Sequence, residues 1–205
     1  GDEDDIIYYD GGAQMQTNIK NSLSVDKSLA RINTLKRRIN KSIKTQTRNR
    51  RDIDMIYIVS SIAETRLLKP YIDVNISTFA KRIPIFASSR SHSAQSDASD
   101  SRDLTGLVFT EMPWLLTSKQ QNTSLHTLSN KLWSNRSDGL QRIFAMGYDS
   151  LSLISKMEAM QAYQYVRHFG QTGVLQLTKN NILSRSLLWG KYQDDKAEEI
   201  AMDRE

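Results

Sequence analysis

The chain has 205 residues, of which 28 are lysine or arginine and 23 are aspartate or glutamate, and it contains no cysteine. A hydrophobic fraction of 39% is enough for a packed core and excludes a chain that is disordered throughout. Without cysteine, disulfides, thiolate metal ligands and thiol nucleophiles are excluded. Apolar runs fall short of the ~20 residues of a membrane-spanning helix, and the acidic N-terminus does not resemble a signal peptide.

Positive charge is concentrated in residues 20–51. This segment holds eleven basic residues and one acidic residue, Asp26, whereas the whole chain has a net charge of only +5. Such a segment is typical of a solvated helix face, an anionic partner surface or a nucleic-acid site. It contains no Phe, Trp or Tyr that could stack on bases, and no helix-turn-helix pattern flanks it, so no nucleic-acid partner is predicted.

Strands and helices alternate in the first half of the chain. Short apolar runs predict strands at residues 6–9, 53–59 and 84–87, the second with the nearly continuous apolar character of a central strand. Apolar residues spaced by three and four predict an amphipathic helix over residues 26–43, and composition predicts another over 64–72. This order is the pattern of an α/β fold with a parallel sheet.

The second half of the chain is less regular. Its predicted elements are a long polar loop at 88–101, a strand at 107–112 that Pro113 stops, helices near 125–133 and over 140–166 with a break near Gly147, and a closing hairpin of 173–177 with 187–192. The acidic end of the chain predicts a frayed tail.

Six short motifs occur in order along the chain. They are RNRRDID at 48–54, LKPYID at 68–73, ASSRS at 87–91, LTGLVFTEMP at 104–113, AMGYDS at 145–150 and SLLW at 186–189. The series resembles the C-terminal domain of the LpoA (LppC) family of outer-membrane lipoproteins, over about residues 32–192. The resemblance implies part of a two-lobed, periplasmic-binding-protein-like (type I) α/β fold. It also implies activation of a bifunctional class A penicillin-binding protein, and so of peptidoglycan synthesis, at the periplasmic face of the outer membrane.

The resemblance further implies that the chain is the trailing half of a two-lobed domain. The expected parts are an α/β lobe at 1–106, the crossover and helices of a second lobe at 107–170, a return hairpin to the first lobe at 171–195 and a frayed acidic tail at 196–205. Membrane attachment is expected only through an N-terminal lipid anchor that is missing here. Helices of the second lobe without their full sheet are expected to expose apolar surface or to pair with another copy of the chain.

A ligand cleft is predicted at the carboxyl ends of the parallel strands, where open α/β sheets bind their ligands. Hydroxyl groups and one positive charge there suit an acidic or sugar-like group. The candidate cleft residues are Ser60, Ser61, Ser88, Ser89, Arg90 and Ser91. The alternative function is therefore a periplasmic lobe that binds a small molecule, unless these residues only cap and solvate a closed cleft.

Catalysis, a metal ion and a cofactor are not expected. Ser91 and His92 are adjacent but lack a nucleophile elbow, and no pair of histidines has metal-ligand spacing. Anchors of protein interfaces are commonly aromatic residues and arginine. The candidate partner-binding residues are Arg48, Arg50, Arg51, Trp114 and Trp133, although for each tryptophan a place in the core is favoured over one in an interface.

Overall fold

The structure, a computed structural model, describes residues 6–9, 12–39 and 44–201. The helices are α1 (Gly12–Ser22), α2 (Val25–Ile39), α3 (Ile62–Asn75), α4 (Ala98–Asp103), α5 (Thr123–Leu132), α6 (Asp138–Ile154) and α7 (Met157–Ala162). The strands are β1 (Ile56–Ile58), β2 (Ile85–Ala87), β3 (Val108–Glu111), β4 (Arg167–Phe169), β5 (Val174–Leu177), β6 (Leu183–Ser186), β7 (Leu188–Gln193) and β8 (Lys196–Ile200).

The larger of two sheets has five strands in the order β1-β2-β3-β7-β8. β1, β2 and β3 are parallel, with Ile58 opposite Ala87 and Ala87 opposite Phe109. β7 then lies antiparallel between β3 and β8. The parallel strands confirm the predicted α/β arrangement, and the antiparallel strands complete the sheet with residues from the end of the chain.

Helix α3 covers one face of the larger sheet. A capping box begins it: Ser61 Oγ accepts from the Glu64 backbone N–H, and the Glu64 carboxylate accepts from the Ser61 N–H at 2.9 Å. The bond from the Ser61 N–H, together with one from the Ser61 hydroxyl to the same carboxylate, holds the pKa of Glu64 below its ordinary value. Leu68 and Ile72 lie one turn apart and are buried in the same cluster as Met15 of α1. The helix is therefore fixed at its start by the cap and along its length by apolar burial.

A stack of aromatic rings packs over β3 and β7 of the larger sheet. The rings of His92 and Phe109 are stacked with centroids 4.6 Å apart, and the Phe109 and Tyr192 centroids are 5.0 Å apart. Gly190 lies opposite Phe109 in the β3–β7 register, and a Cβ there would lie 2.6 Å from Phe109 Cζ. Glycine is therefore required at this position so that the phenylalanine ring can pack over the backbone of β7.

The smaller sheet has three antiparallel strands in the order β4-β5-β6. Its apolar side packs with α6 and α7 in a cluster of buried residues: Leu153, Met160, Leu175 and Leu177. The predicted hairpin of 173–177 with 187–192 is therefore wrong, because β5 pairs with β4 and β6, whereas β7 pairs with β3 and β8 in the larger sheet. β6 was not predicted because all four of its residues are exposed and carry no apolar alternation.

Four further predictions are corrected. Residues 6–9 are not a strand, and the loop at 88–101 contains a 3₁₀ turn (Ser89–Ser91) and α4. Among the described strands, β1 lies at the edge of the larger sheet and not at its centre, and 196–200 form β8 instead of a frayed tail. β8 is ordered because its backbone pairs with β7. Residues 1–5, 10–11, 40–43 and 202–205 lie outside the described residues, and the division into lobes stays a prediction.

Helix α6 runs without a break through Gly147, contrary to the prediction. One of its faces is buried and includes Ala145 and Leu153. The opposite face is apolar and exposed, with exposed fractions that include 65% for Ile143 and 70% for Leu151. The exposed isoleucine and leucine side chains of α6 confirm the expectation of exposed apolar surface in this region.

Replacing Gly147 with alanine is expected to raise the free energy of unfolding by about 0.5–1 kcal/mol, because glycine is unfavourable inside a helix. An added Cβ would meet no described atom within 4 Å. Urea unfolding followed by circular dichroism measures the change. The matched control is Gly190→Ala, which is expected to lower stability because of the contact with Phe109. A loss of stability in Gly147→Ala would contradict the prediction.

Stability is expected to fall as the pH drops below 6.5, the ordinary pKa of His168. Burial is the main cause that lowers the pKa of His168, and the positive charge of Lys156 lowers it further. The His168 Nδ1 accepts a hydrogen bond from Lys156 Nζ at 2.9 Å. Between the lowered pKa and 6.5 the unfolded chain binds a proton that the folded chain does not, so acid favours unfolding. Urea unfolding between pH 5 and 8 measures the effect.

The control for this pH dependence is His168→Gln. Its unfolding free energy is expected to depend less on pH than that of the wild type. Part of the dependence should remain, because burial also lowers the pKa of His126. Identical pH profiles for the two proteins would show that His168 does not contribute.

Candidate functional site

The carboxyl ends of β1 and β2 meet at a buried cluster of hydroxyl groups. Thr65 Oγ1 lies 2.6 Å from Ser60 Oγ and 2.9 Å from Ser91 Oγ, and Ser91 Oγ donates to the Ser60 carbonyl at 3.0 Å. All three side chains are buried. Their hydrogen-bonding capacity is used within the fold, and the cluster ties the start of α3 to the turn after β2.

The other candidate cleft residues have separate roles. Ser61 caps α3, and the Ser89 carbonyl accepts from Arg142 at 3.0 Å. Arg90 is exposed. Ser88 Oγ is buried and has no hydrogen-bond partner among the described atoms. The structure therefore brings the six predicted residues to one end of the sheet, but it uses most of them to hold local structure.

Beside this cluster lies a buried ionic network that the sequence did not reveal. Glu111, at the end of β3, is fully buried, and its Oε2 accepts from Arg142 Nη2 at 2.6 Å. His92 Nδ1 lies 3.1 Å from the same oxygen, and Glu111 Oε1 accepts from the Met112 N–H at 2.9 Å. Arg142 belongs to α6. The network therefore joins the larger sheet to the helix that packs on the smaller one.

The two tryptophans differ in their exposure. Trp114 is fully buried and packs against Phe144, so it cannot contact a partner, and its prediction as an interface anchor is wrong. It lies in the apolar segment that follows β3, which explains its burial. Trp133 is 52% exposed and lies beneath the Arg136 guanidinium at 5.6 Å, so it stays a candidate.

The three candidate arginines lie in the chain between α2 and β1. The Arg48 N–H donates to Ser28 Oγ at 3.0 Å and the Arg50 N–H to the Leu23 carbonyl at 2.8 Å, so this loop is fixed to the start of α2. The Arg50 guanidinium forms two bonds to the Asp52 carboxylate, at 2.8 and 2.7 Å, which lower the pKa of Asp52 to about 2. Arg48 and Arg51 are exposed.

A pocket of about 320 Å³ lies at the amino ends of β1 and β2, at the opposite edge of the sheet from the hydroxyl cluster. Its walls are residues 49–51, 53–54 and 79–83. Four lining residues are cationic: Arg50, Arg51, Lys81 and Arg82. We call this site the basic pocket. The sequence pointed to the first two arginines, but nothing in it linked them to the loop before β2.

Two further properties concern the residues that the structure describes. In that part of the chain, no group of three or more His, Asp or Glu side chains is placed to hold a metal ion. None of the described helices is both long and apolar enough to span a bilayer.

Comparison with known proteins shows the family. A family model of the LppC lipoproteins matches residues 1–195. This chain belongs to the LppC family. The penicillin-binding protein activator LpoA of Vibrio antiquarius is 33% identical to this LppC chain, and the match covers 90% of this chain. The LppC chain spans only 30% of that relative.

Solved structures show the fold of this LppC chain. The LpoA (YraM) C-domain of Haemophilus influenzae, described as a regulator of PBP1A, matches with a TM-score of 0.60 and 21% identity, over 84% of this chain and 49% of that one. A branched-chain amino acid ABC transporter of Rhodospirillum rubrum matches with a TM-score of 0.52 and 13% identity, over 72% of this chain and 44% of that one. The predicted periplasmic-binding-protein-like α/β fold class is confirmed.

Proposed function

We propose that this LppC chain is a non-catalytic regulator of peptidoglycan synthesis that binds and activates a bifunctional class A penicillin-binding protein. The observation that carries the proposal is the 33% identity, over 90% of the chain, to a relative named as a penicillin-binding protein activator. The solved C-domain described as a regulator of PBP1A supports it. In this proposal the protein acts at the periplasmic face of the outer membrane.

The arrangement of the polar groups supports a role without catalysis. Nucleophilic catalysis needs a base that is within reach of the nucleophile and can take its proton. Here Ser91 Oγ donates to the Ser60 carbonyl, while His92 is stacked on Phe109 and directed at Glu111. Ser91 and His92 therefore contact different partners, which is the arrangement expected of side chains with a structural role.

Activation then depends on differential affinity. An activator must bind the active arrangement of its enzyme more tightly than the resting arrangement. A tenfold shift of that equilibrium requires about 1.4 kcal/mol. A few interface residues supply this amount in many complexes. Arg48, Arg50, Arg51 and Trp133 are the proposed contributors from this chain.

The test is direct binding of the chain to a purified class A penicillin-binding protein, with transpeptidation followed in parallel over a salt series. Saturable binding together with a higher transpeptidation rate is the expected result. Binding that disappears at moderate salt without a change in rate would indicate a non-specific polycation and contradict the proposal. Light scattering on the same samples measures self-association, which the exposed apolar face of α6 supports.

A second candidate function is a lobe that binds an acidic or sugar-like small molecule. The unpartnered, buried Ser88 Oγ favours it, since a ligand hydroxyl or carboxylate could satisfy that group. Thermal unfolding in the presence of acidic amino acids and of sugars tests this function. A rise in the unfolding temperature that Ser88→Ala abolishes would support it, and no rise with any of these compounds would exclude them as ligands.

A further inference from the structure

Among the described residues that line the basic pocket, positive charges outnumber negative ones. Asp54 is the only acidic residue among its lining residues, and Asp52 is held by Arg50. In the part of the chain that the structure describes, no carboxylate forms an ion pair with Arg51, Lys81 or Arg82. Like charges brought together repel each other, so the pocket favours an anionic occupant.

An exposed aromatic ring stands at this positive surface. Phe79 lines the pocket and is 86% exposed. Ile53 and Ile83, both partly buried, provide further apolar surface in the pocket. Arginine and aromatic side chains are enriched at the energetically important sites of protein interfaces, and this pocket has both.

The two walls of the pocket are fixed to each other. Asn49 is buried; its Oδ1 accepts from the Ser77 N–H at 3.0 Å and its Nδ2 donates to the Arg50 carbonyl at 2.9 Å. The Ile56 N–H donates to the Pro84 carbonyl at 3.0 Å, joining the walls again where β1 and β2 begin. A pocket whose walls are fixed loses less conformational entropy when a partner binds.

The pocket fits a protein segment better than a small molecule. Small-molecule sites of about 300–1,000 Å³ are lined mainly by apolar side chains. This pocket lies at the lower end of that range, at about 320 Å³, and half of its ten lining residues are charged. The fixed start of α2 lies beside it and carries more positive charge, including Lys27 and Arg31, which would attract an acidic surface from a distance.

We propose that the basic pocket binds an acidic segment of the partner protein, with carboxylates at Arg51, Lys81 and Arg82 and an apolar side chain against Phe79. This inference rests on the proposed function, because the partner is the class A penicillin-binding protein named there. It goes further by assigning the docking site to the amino-end edge of the larger sheet, away from the predicted ligand cleft.

The test measures binding of the penicillin-binding protein to the wild type and to two variants of equal charge. Arg51→Glu with Arg82→Glu changes the pocket, and Arg37→Glu with Arg38→Glu makes the same change of charge on exposed residues of α2. The pocket variant is expected to bind at least about tenfold more weakly at physiological salt, and the α2 variant less than about threefold. Equal losses in both variants would show general electrostatic attraction and overturn the proposal.

A third variant, Phe79→Ala, tests the apolar contact without a change of charge. It is expected to weaken binding about tenfold at both low and high salt. Because the side chain is exposed, the thermal unfolding temperature should stay at the wild-type value. If the wild type binds the enzyme and the pocket variants bind equally well, the docking site is wrong and the proposed function stands. If the folded wild type does not bind, both fail.

Sedimentation with isolated peptidoglycan sacculi tests the remaining alternative, which is that the pocket binds an anionic glycan. If the pocket variants lose binding to sacculi but keep binding to the enzyme, the pocket takes an anionic glycan and the proposal of a protein segment is overturned. Binding to the enzyme that depends on the pocket, with no difference in binding to sacculi, is the expected result.

Discussion

Replacing Asp149 with alanine is expected to lower the free energy of unfolding by about 3–5 kcal/mol. Asp149 is buried, and its carboxylate accepts from the backbone N–H groups of Gln171 and Thr172 at 2.8 and 2.7 Å and from Thr172 Oγ1 at 2.6 Å. Alanine would leave these three donors buried without an acceptor. It would also release the loop between β4 and β5 from α6, because the carboxylate connects the two.

Asp149→Asn gives a graded test, since the amide keeps one acceptor oxygen and places an NH₂ group against donors. Its loss of stability should be smaller than that of alanine. The control is Asp195→Ala, which removes an exposed ion pair with Arg102 and is expected to change stability by less than about 1 kcal/mol. Urea unfolding curves provide all three values. An Asp149→Ala value as small as that of the control would contradict the role given to this carboxylate.

Replacing Glu111 with alanine is expected to destabilise the protein by about 3–5 kcal/mol as well, for a different reason. The substitution removes the counter-ion of Arg142, whose side chain is only 24% exposed, and leaves that positive charge next to His92. The Met112 N–H also loses its acceptor. Since Arg142 extends from α6, the loss should loosen the connection between the two sheets and increase proteolysis near the end of β3.

A double-mutant cycle with Arg142→Ala separates the pair from its surroundings. The interaction energy between Glu111 and Arg142 is expected to be about 1–3 kcal/mol, as for contacting residues in one network. The effect of Glu111→Ala should therefore be smaller in the Arg142→Ala background. Additive effects in the cycle would show that the two side chains contribute independently, contrary to the geometry.

Sequence patterns predicted the parallel part of the fold because each of its elements has an apolar run or an apolar spacing within a short stretch of sequence. The apolar runs around Ile56, Ile85 and Val108 become neighbouring strands, and apolar spacing located α2 and α5. α1 was missed because Met15 and Ile19 are its only large apolar residues, so its sequence carries little apolar periodicity. β1 was predicted as central because its composition is that of a strand with two neighbours, whereas in the described chain it has one.

The functional sites could be predicted only in part. The serines at the ends of β1 and β2 were found because strand ends can be located from the sequence. Glu111 was not, since its partners His92 and Arg142 are distant in sequence and come together only when β3 and α6 are placed. The same holds for Phe79 in the basic pocket, which the pairing of β1 with β2 brings close to Arg51.

The position of β7 has a consequence for how the protein is made. β3 pairs with β7 in a register that joins Glu111 to Leu188, so the strand beside β3 is synthesised only after the whole of the smaller sheet. Until β7 is in place, β3 lacks its antiparallel neighbour and Phe109 is not covered by Tyr192. Pairings between distant segments form slowly, and open edges favour aggregation. Completion of the larger sheet therefore waits for β7 and β8, which come late in the described part of the chain, and the unpaired edge of β3 is exposed to aggregation in that interval.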